Sequence, residues 1–212
     1  MNVQPIFPSF IAVEQLNDIV DNDAIEQYCY RAERECTAQK WLGGWQSTGN
    51  IVDVPELQPL IDVIKNRLLG IKHMYGLKPE AEVILKNGWI NINNPGNYTI
   101  NSNPPHIHAN YFVSIVYYVK GEVKSGDLTM IAPFTGLEYS VPFSVIGEHT
   151  MYNSARRRIT PEPGKLIIFP SWLMHYVENN ISQNDRISIA FNAVLPHLAH
   201  LDAWQNSAVT VQ

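Results

Sequence analysis

HIHANYFVSIVYYV, residues 106–119, sets two imidazoles at the mouth of a run rich in β-branched and aromatic residues. Such a run predicts a buried β-strand. Strand side chains alternate, so His106 and His108 are expected on one face, able to share a single ligand. The same face would carry Asn110, Phe112, Ser114, Val116 and Tyr118, a polar lane among apolar neighbours. A plain core strand has no use for Asn, Ser and Tyr there, because each buried polar group must find a hydrogen-bond partner. A His-x-His pair by itself is commonly a surface or turn feature, so the rest of the chain decides its meaning.

Around this stretch, from about Glu82 onward, short β-rich runs follow one another between turn residues: EVILKNGWININ, NYFVSIVYYV, GDLTMIA, YSVPFSVIG, HTMYN, RRIT, KLIIFP, YVEN and RISIAFNAV. Strands in this number without intervening helices predict a sandwich, jelly roll or barrel. Residues 1–12 read as an extended strand punctuated by Pro5 and Pro8. Val13 to about Ala38 has helical spacing, broken near 21–23. WLGGWQSTGN (41–50) reads as a Gly-rich loop, and 55–76 as a second amphipathic helix with Leu60, Ile61, Ile64 and Leu68 on one face. The expected fold is mainly β with N-terminal helices, an α+β chain whose sandwich, jelly-roll or barrel core is flanked by two or three helices. One domain over 1–212 is expected: an N-terminal strand and supporting helices (1–80), the core (81–196) and a tail (197–212) with a short helix.

The composition narrows the function classes. Hydrophobic residues at 45% and charged residues at 17% are those of an ordinary globular protein, which argues against disorder. A formal net charge of −5 offers no footprint for nucleic acid, and the cluster Arg156-Arg157-Arg158 reads as a solvated loop. Cys29 and Cys36 are too few for a zinc cluster or a disulfide framework, which suggests a reducing compartment. No signal peptide is evident, and no apolar run approaches the roughly 18 residues of a spanning helix. A soluble cytoplasmic protein is expected, without a membrane partner; homo-oligomer formation is left open.

A second signal lies downstream in PGKLIIFPSWLMHYVEN (163–179), where His175 follows a strand and a Phe-Pro-Ser break. It is the third imidazole that could close a facial set with His106 and His108. Then comes RISIAFN (186–192), in which Arg186, Ser188, Ala190 and Asn192 share one strand face. An inward Arg on an apolar strand is costly unless a buried anion pairs with it, so a bound carboxylate is the economical reading.

The ordered set GGWQS (43–47), NNPGNYTINSNPPHIH (93–108), SIVYYV, SGDLTM (125–130), Phe-Pro…His and RISIAFN resembles the Fe(II)- and 2-oxoglutarate-dependent oxygenases, in particular a bacterial and phage group close to the prolyl-hydroxylase-like branch. The resemblance runs from about residue 41 to 192 and implies a double-stranded β-helix (jelly-roll) core. It implies Fe(II), 2-oxoglutarate as cosubstrate and O₂, with His106 and His175 as iron ligands. It also implies that Arg186 pairs with the distal carboxylate of 2-oxoglutarate, with hydrogen bonds from Ser188 and Tyr118, and no catalytic side chain outside the metal centre. A facial triad leaves three positions open, two for the keto acid and one for O₂. The implied reaction is hydroxylation of a C–H bond in a peptide, protein or small molecule, with release of succinate and CO₂.

The family's usual second ligand is Asp or Glu two residues after the first His, whereas this chain has His108. His108 could ligate in a three-His site, stand near a two-His site completed by water, or be the first ligand with Asn110 in the carboxylate place. Asn91, Asn93, Asn94, Asn110, Ser114 and Asn192 are candidate pocket residues. Trp45, Trp89 and Trp172 are expected in core or pocket wall, and His73, His149, His197 and His200 at the surface. The alternative reading is a three-His cupin, acting as a small-molecule dioxygenase, isomerase or binder, for which HYVEN (175–179) also has suitable spacing; it does not predict Arg186 and Ser188. A third reading, a structural β-sandwich with incidental histidines, leaves the ordered motifs unexplained.

Overall fold

The alternation in RISIAFNAV is realised in full: Arg186–Val194 forms strand β10, buried along nearly all its length and paired on both sides. The computed structural model describes residues 1–3, 7–36, 43–96, 103–134 and 141–196. In chain order the strands are β1 Ala12–Gln15, β2 Gly44–Gln46, β3 Ile84–Asn93, β4 Asn103–His106, β5 Val113–Lys120, β6 Leu128–Ile131, β7 Arg156–Ile159, β8 Lys165–Pro170, β9 His175–Val177 and β10. The helices are α1 Asn22–Glu35 and α2 Gln58–Met74, the latter led in by a 3₁₀ turn at Pro55–Leu57. The strands form a six-stranded sheet, β1-β8-β5-β10-β3-β2, facing a four-stranded sheet, β4-β9-β6-β7. This is the double-stranded β-helix, with the helices on the outer face of the larger sheet.

The period-2 pattern sorts the core into two layers. Val113, Ile115, Tyr117 and Val119 of β5, with Ile187, Ile189 and Phe191 of β10, pack with Ile25 and Cys29 of α1 and Leu60, Ile61, Ile64 and Leu68 of α2. The alternate residues Tyr118 and Val116, with Ile167 and Phe169 of β8, meet Leu128 and Met130 of β6 between the sheets. The larger sheet is therefore covered on both faces, which is why its strands read as near-continuous apolar runs.

Several local expectations are corrected. Ala12–Gln15 is a strand rather than the start of a helix, because it pairs antiparallel with Lys165–Ile168 and Arg67 of α2 takes the Glu14 carboxylate at 2.7 Å. The helix begins at Asn22, where the Asp21 side chain accepts a hydrogen bond from the Ala24 N–H. Gly44–Gln46 is a strand on β3 rather than loop. The expected strand at YSVPFSVIG shows, among its described residues, a 3₁₀ turn at Phe143–Val145 after Pro142, and HTMYN is turn. The RRIT run forms strand β7 as expected, so the three arginines, which were also read as a solvated loop, sit instead on this strand, exposed at one edge of the smaller sheet. The other edge, β4, carries Pro104 and Pro105. Charge and proline are the usual guards of open strand edges. The tail 197–212 with His197 and His200, and residues 41–42, 97–102 and 135–140, lie outside the described residues.

Candidate metal centre and keto-acid pocket

HIHANYFVSIVYYV is two strands and a turn, not one strand. His106 is the last residue of β4 in the smaller sheet, whereas Val113 opens β5 in the larger one. Between them Asn110 takes a positive φ of 68°, which breaks the alternation. Phe112 consequently packs on the helix side, edge-on to Tyr75, while Ser114, Val116 and Tyr118 face the space between the sheets. Asn110 is exposed in the turn and does not line the pocket. The other members of the expected lane thus remain together, but Asn110 and Phe112 leave it.

The two histidines still converge, because β4 pairs with β9 so that His106 stands opposite His175, and β9 pairs with β6 so that His175 stands opposite Met130. His108 reaches the same point from the connection that follows β4. Ring centroids are 4.3 Å apart for His106–His175, 5.1 Å for His106–His108 and 5.2 Å for His108–His175. One nitrogen from each ring lies within 4.8 Å of the others, so the three could hold a metal ion. Asp127, the nearest acidic candidate in the sequence, is not in this cluster.

The donor chemistry fits a divalent transition metal. Burial pushes the His108 and His175 imidazoles down to about 4, so both are neutral near pH 7, as ligation requires. Nδ1 of His106 lies 2.7 Å from the Pro104 carbonyl and Nδ1 of His175 lies 2.8 Å from the Leu173 carbonyl. A carbonyl only accepts, so both Nδ1 atoms donate, an arrangement that in the neutral ring puts the lone pair on Nε2. Trp89 stands beside His108 at a centroid distance of 5.9 Å as pocket wall.

Deeper along the same face, the register places residues in rows across β3, β10 and β5. Asn93 is opposite Arg186; Asn91, Ser188 and Tyr118 form the next row; Trp89, Ala190 and Val116 the next; and Asn192 stands opposite Ser114. Tyr118, Arg186, Ser188, Asn91 and Asn93 line one pocket with the three histidines. Arg186 is 2% exposed. Its guanidinium donates to the carbonyls of Ser125, Gly126 and Glu178 at 2.7, 3.1 and 2.9 Å and to Asn93 Oδ1 at 3.0 Å. Burial pushes the Tyr118 hydroxyl up to about 12, so it is a neutral donor.

Among the other candidates, Asn94 turns away to donate to Asp185 Oδ1 at 3.0 Å. Trp45 is in the core, but Trp172 is half exposed, contrary to expectation; His73 and His149 are at the surface. The sequence reading gave no role to Ser171, which is fully buried behind His108. A serine directly after a strand-ending proline was the signal available for it.

Fold and site together define a double-stranded β-helix protein with a three-histidine centre beside a buried arginine. Residues 87–192 match the family model described as "Putative 2OG-Fe(II) oxygenase". This is half of the chain, and the chain belongs to the 2-oxoglutarate- and Fe(II)-dependent oxygenase family, whose members use Fe(II), 2-oxoglutarate and O₂. A search of curated proteins gives no match. Similar solved structures include a prolyl-4-hydroxylase from Pseudomonas putida, 14% identical, covering 87% of this chain and 92% of that one with a TM-score of 0.57. HygX from Streptomyces hygroscopicus, solved with nickel and 2-oxoglutarate, is 11% identical over 89% and 83% of the chains, with a TM-score of 0.56. The carbocyclase SnoK from nogalamycin biosynthesis is 12% identical over 94% and 90%, with a TM-score of 0.59. At these identities the likeness concerns the fold. No described helix is long and apolar enough to cross a membrane.

Proposed function

We propose that this protein is a hydroxylase in which His106, His108 and His175 hold Fe(II), Arg186 pairs with the distal carboxylate of 2-oxoglutarate, and Ser188 and Tyr118 add hydrogen bonds to that carboxylate. The observation that carries the reading is the shared pocket: three convergent imidazoles from one sheet and its loop face a buried guanidinium, a serine and a neutral tyrosine on the other. Bound iron with the keto acid supplies O₂ activation, in which 2-oxoglutarate loses CO₂ to give succinate and a C–H bond of a second substrate is hydroxylated. The chain's own part is to fix the two partners and exclude water. Arg186 offers a fixed charge, Tyr118 and Ser188 supply hydroxyl groups on the same pocket wall, and Trp89 stands beside His108. Asn91 and Asn93 complete the polar floor. A peptide, protein or small molecule is the second substrate. A groove of about 380 Å³ lined by Phe10, Met130, Pro133, Met151 and Arg156–Arg158 reaches Met130, which stands opposite His175.

The test is anaerobic titration of Fe(II)-loaded protein with 2-oxoglutarate, following the weak visible charge-transfer band of the chelate. The band should appear in wild type. In Arg186→Lys and Ser188→Ala it should require ~10- to 100-fold more keto acid, the cost of a charge-assisted hydrogen bond of about 1.5–3 kcal/mol. Metal binding without any band would instead favour a three-His cupin.

A further inference from the structure

Behind His108 lie three polar side chains as deeply buried as the hydrophobic core: Ser171 at 0%, Asn192 at 1% and Ser114 at 3% exposure. They are joined to one another and to the imidazole. Ser114 Oγ donates to Asn192 Oδ1 at 2.9 Å and lies 3.0 Å from Ser171 Oγ. Asn192 Nδ2 lies 3.4 Å from His108 Nδ1, and the Ser171 carbonyl accepts the His108 backbone N–H at 2.9 Å. His108 sits outside any strand, so this group holds both its main chain and its ring.

The contrast with the other two histidines gives the group its meaning. His106 and His175 have Nδ1 against backbone carbonyls, which fixes their protons. His108 has Nδ1 against a carboxamide, which can either accept or donate. We propose that Asn192, steadied by Ser114 and Ser171, is a positioning residue that selects the metal-binding tautomer of His108. This inference rests on the metal-centre reading above. With the amide nitrogen toward the ring, Nδ1 accepts and the proton sits on Nε2, where it blocks ligation. A half-turn of the carboxamide brings Oδ1 to the ring, the proton moves to Nδ1 and Nε2 offers its lone pair. One proton leaves Nε2 and one is taken up at Nδ1, so the charge is unchanged. The hydroxyls follow without loss of a bond: Ser114 then accepts from Nδ2 and donates to Ser171, where before it donated to Oδ1 and accepted from Ser171. Three buried groups that can reverse direction together are what such a selector needs, and a packing role alone would not call for them.

The test uses the full chain, stripped of metal and titrated with Co(II) under argon. Affinity is read by calorimetry and by the ligand-field spectrum, with imidazole ¹⁵N shifts reporting the tautomer. Asn192→Leu should weaken Co(II) binding by ~10- to 100-fold, the usual effect of losing a ligand's orienting partner. Asn192→Asp, which can only accept from Nδ1–H, should restore it. Equal loss in Leu and Asp variants that melt like wild type, or no loss in the Leu variant, overturns the proposal. Should the Leu variant fail to fold, wild type with Zn(II) decides: a proton on His108 Nδ1 supports the selector and a metal on Nδ1 overturns it. His175→Ala run in parallel separates the two readings, since Co(II) binding indifferent to it removes the metal centre itself and the selector with it.

Discussion

At the scale of single residues, Gly126 ties the SGDL motif to the pocket through Arg186. Its φ is +98°, and a Cβ there would run into Arg186 Nη1 and the carbonyl of Glu178. The carbonyls of Ser125, Gly126 and Glu178 are the seat of the guanidinium, so the glycine is the space in which Arg186 lies. Gly126→Ala should cost about 1–3 kcal/mol, through left-handed strain plus overlap with Arg186, measurable as a lower urea midpoint. The same variant should lose 2-oxoglutarate affinity while its Co(II) affinity stays within twofold of wild type. Equal loss of both would mean that the damage is not confined to the arginine seat.

At the scale of elements, the helix layer makes a prediction about thiols. Cys29 of α1 is fully buried in the core, and burial pushes its thiol up to about 12; Cys36, at the end of the helix, is half-buried. Native protein at pH 8 should therefore take up iodoacetamide at Cys36 and not at Cys29, and both should react in urea; mass spectrometry of the peptides checks this. Elements were legible in the sequence where one chain segment carries its own pattern. β10, β8 and the apolar face of α2 follow directly from period and composition. The strands that sequence reading missed are short and take their form from a partner: β1 from β8, β2 from β3, and β4 from β9. The same limit explains the His-x-His stretch. Its residues were the right ones to notice, but the turn at Asn110 that moves the chain from one sheet to the other has no periodic signature. Asn192 and Ser114 were each legible as inward polar residues, but not as partners. Ser171, held to them only through tertiary contacts, was not.

At the scale of the whole molecule, the larger sheet is a partition between two interiors, and consecutive residues of β5 face opposite sides of it. Tyr117 points to the helix layer and donates to Asn22 Oδ1 at 2.8 Å, while Tyr118 points to the pocket. Burial pushes both hydroxyls up to about 12. In the unfolded chain they ionise near 10, so above that pH unfolding releases protons that the native state retains. Stability should be intact below pH 10 and fall as pH rises toward 12, by on the order of 2–3 kcal/mol per tyrosine at the end of that window. Urea midpoints against pH, with Tyr117→Phe flattening part of the decline, are the check; a tyrosinate absorbance that rises fully near pH 10 in native protein would contradict it. The smaller sheet has a different consequence for the molecule. Its outer strands carry prolines on one side and three arginines on the other. Among the described residues, neither margin of the smaller sheet invites an additional strand, so its edges offer a visiting polypeptide no main-chain ladder to join. Recognition there is left to side-chain shape and charge, and a β-strand mimic would be a poor starting point for an inhibitor.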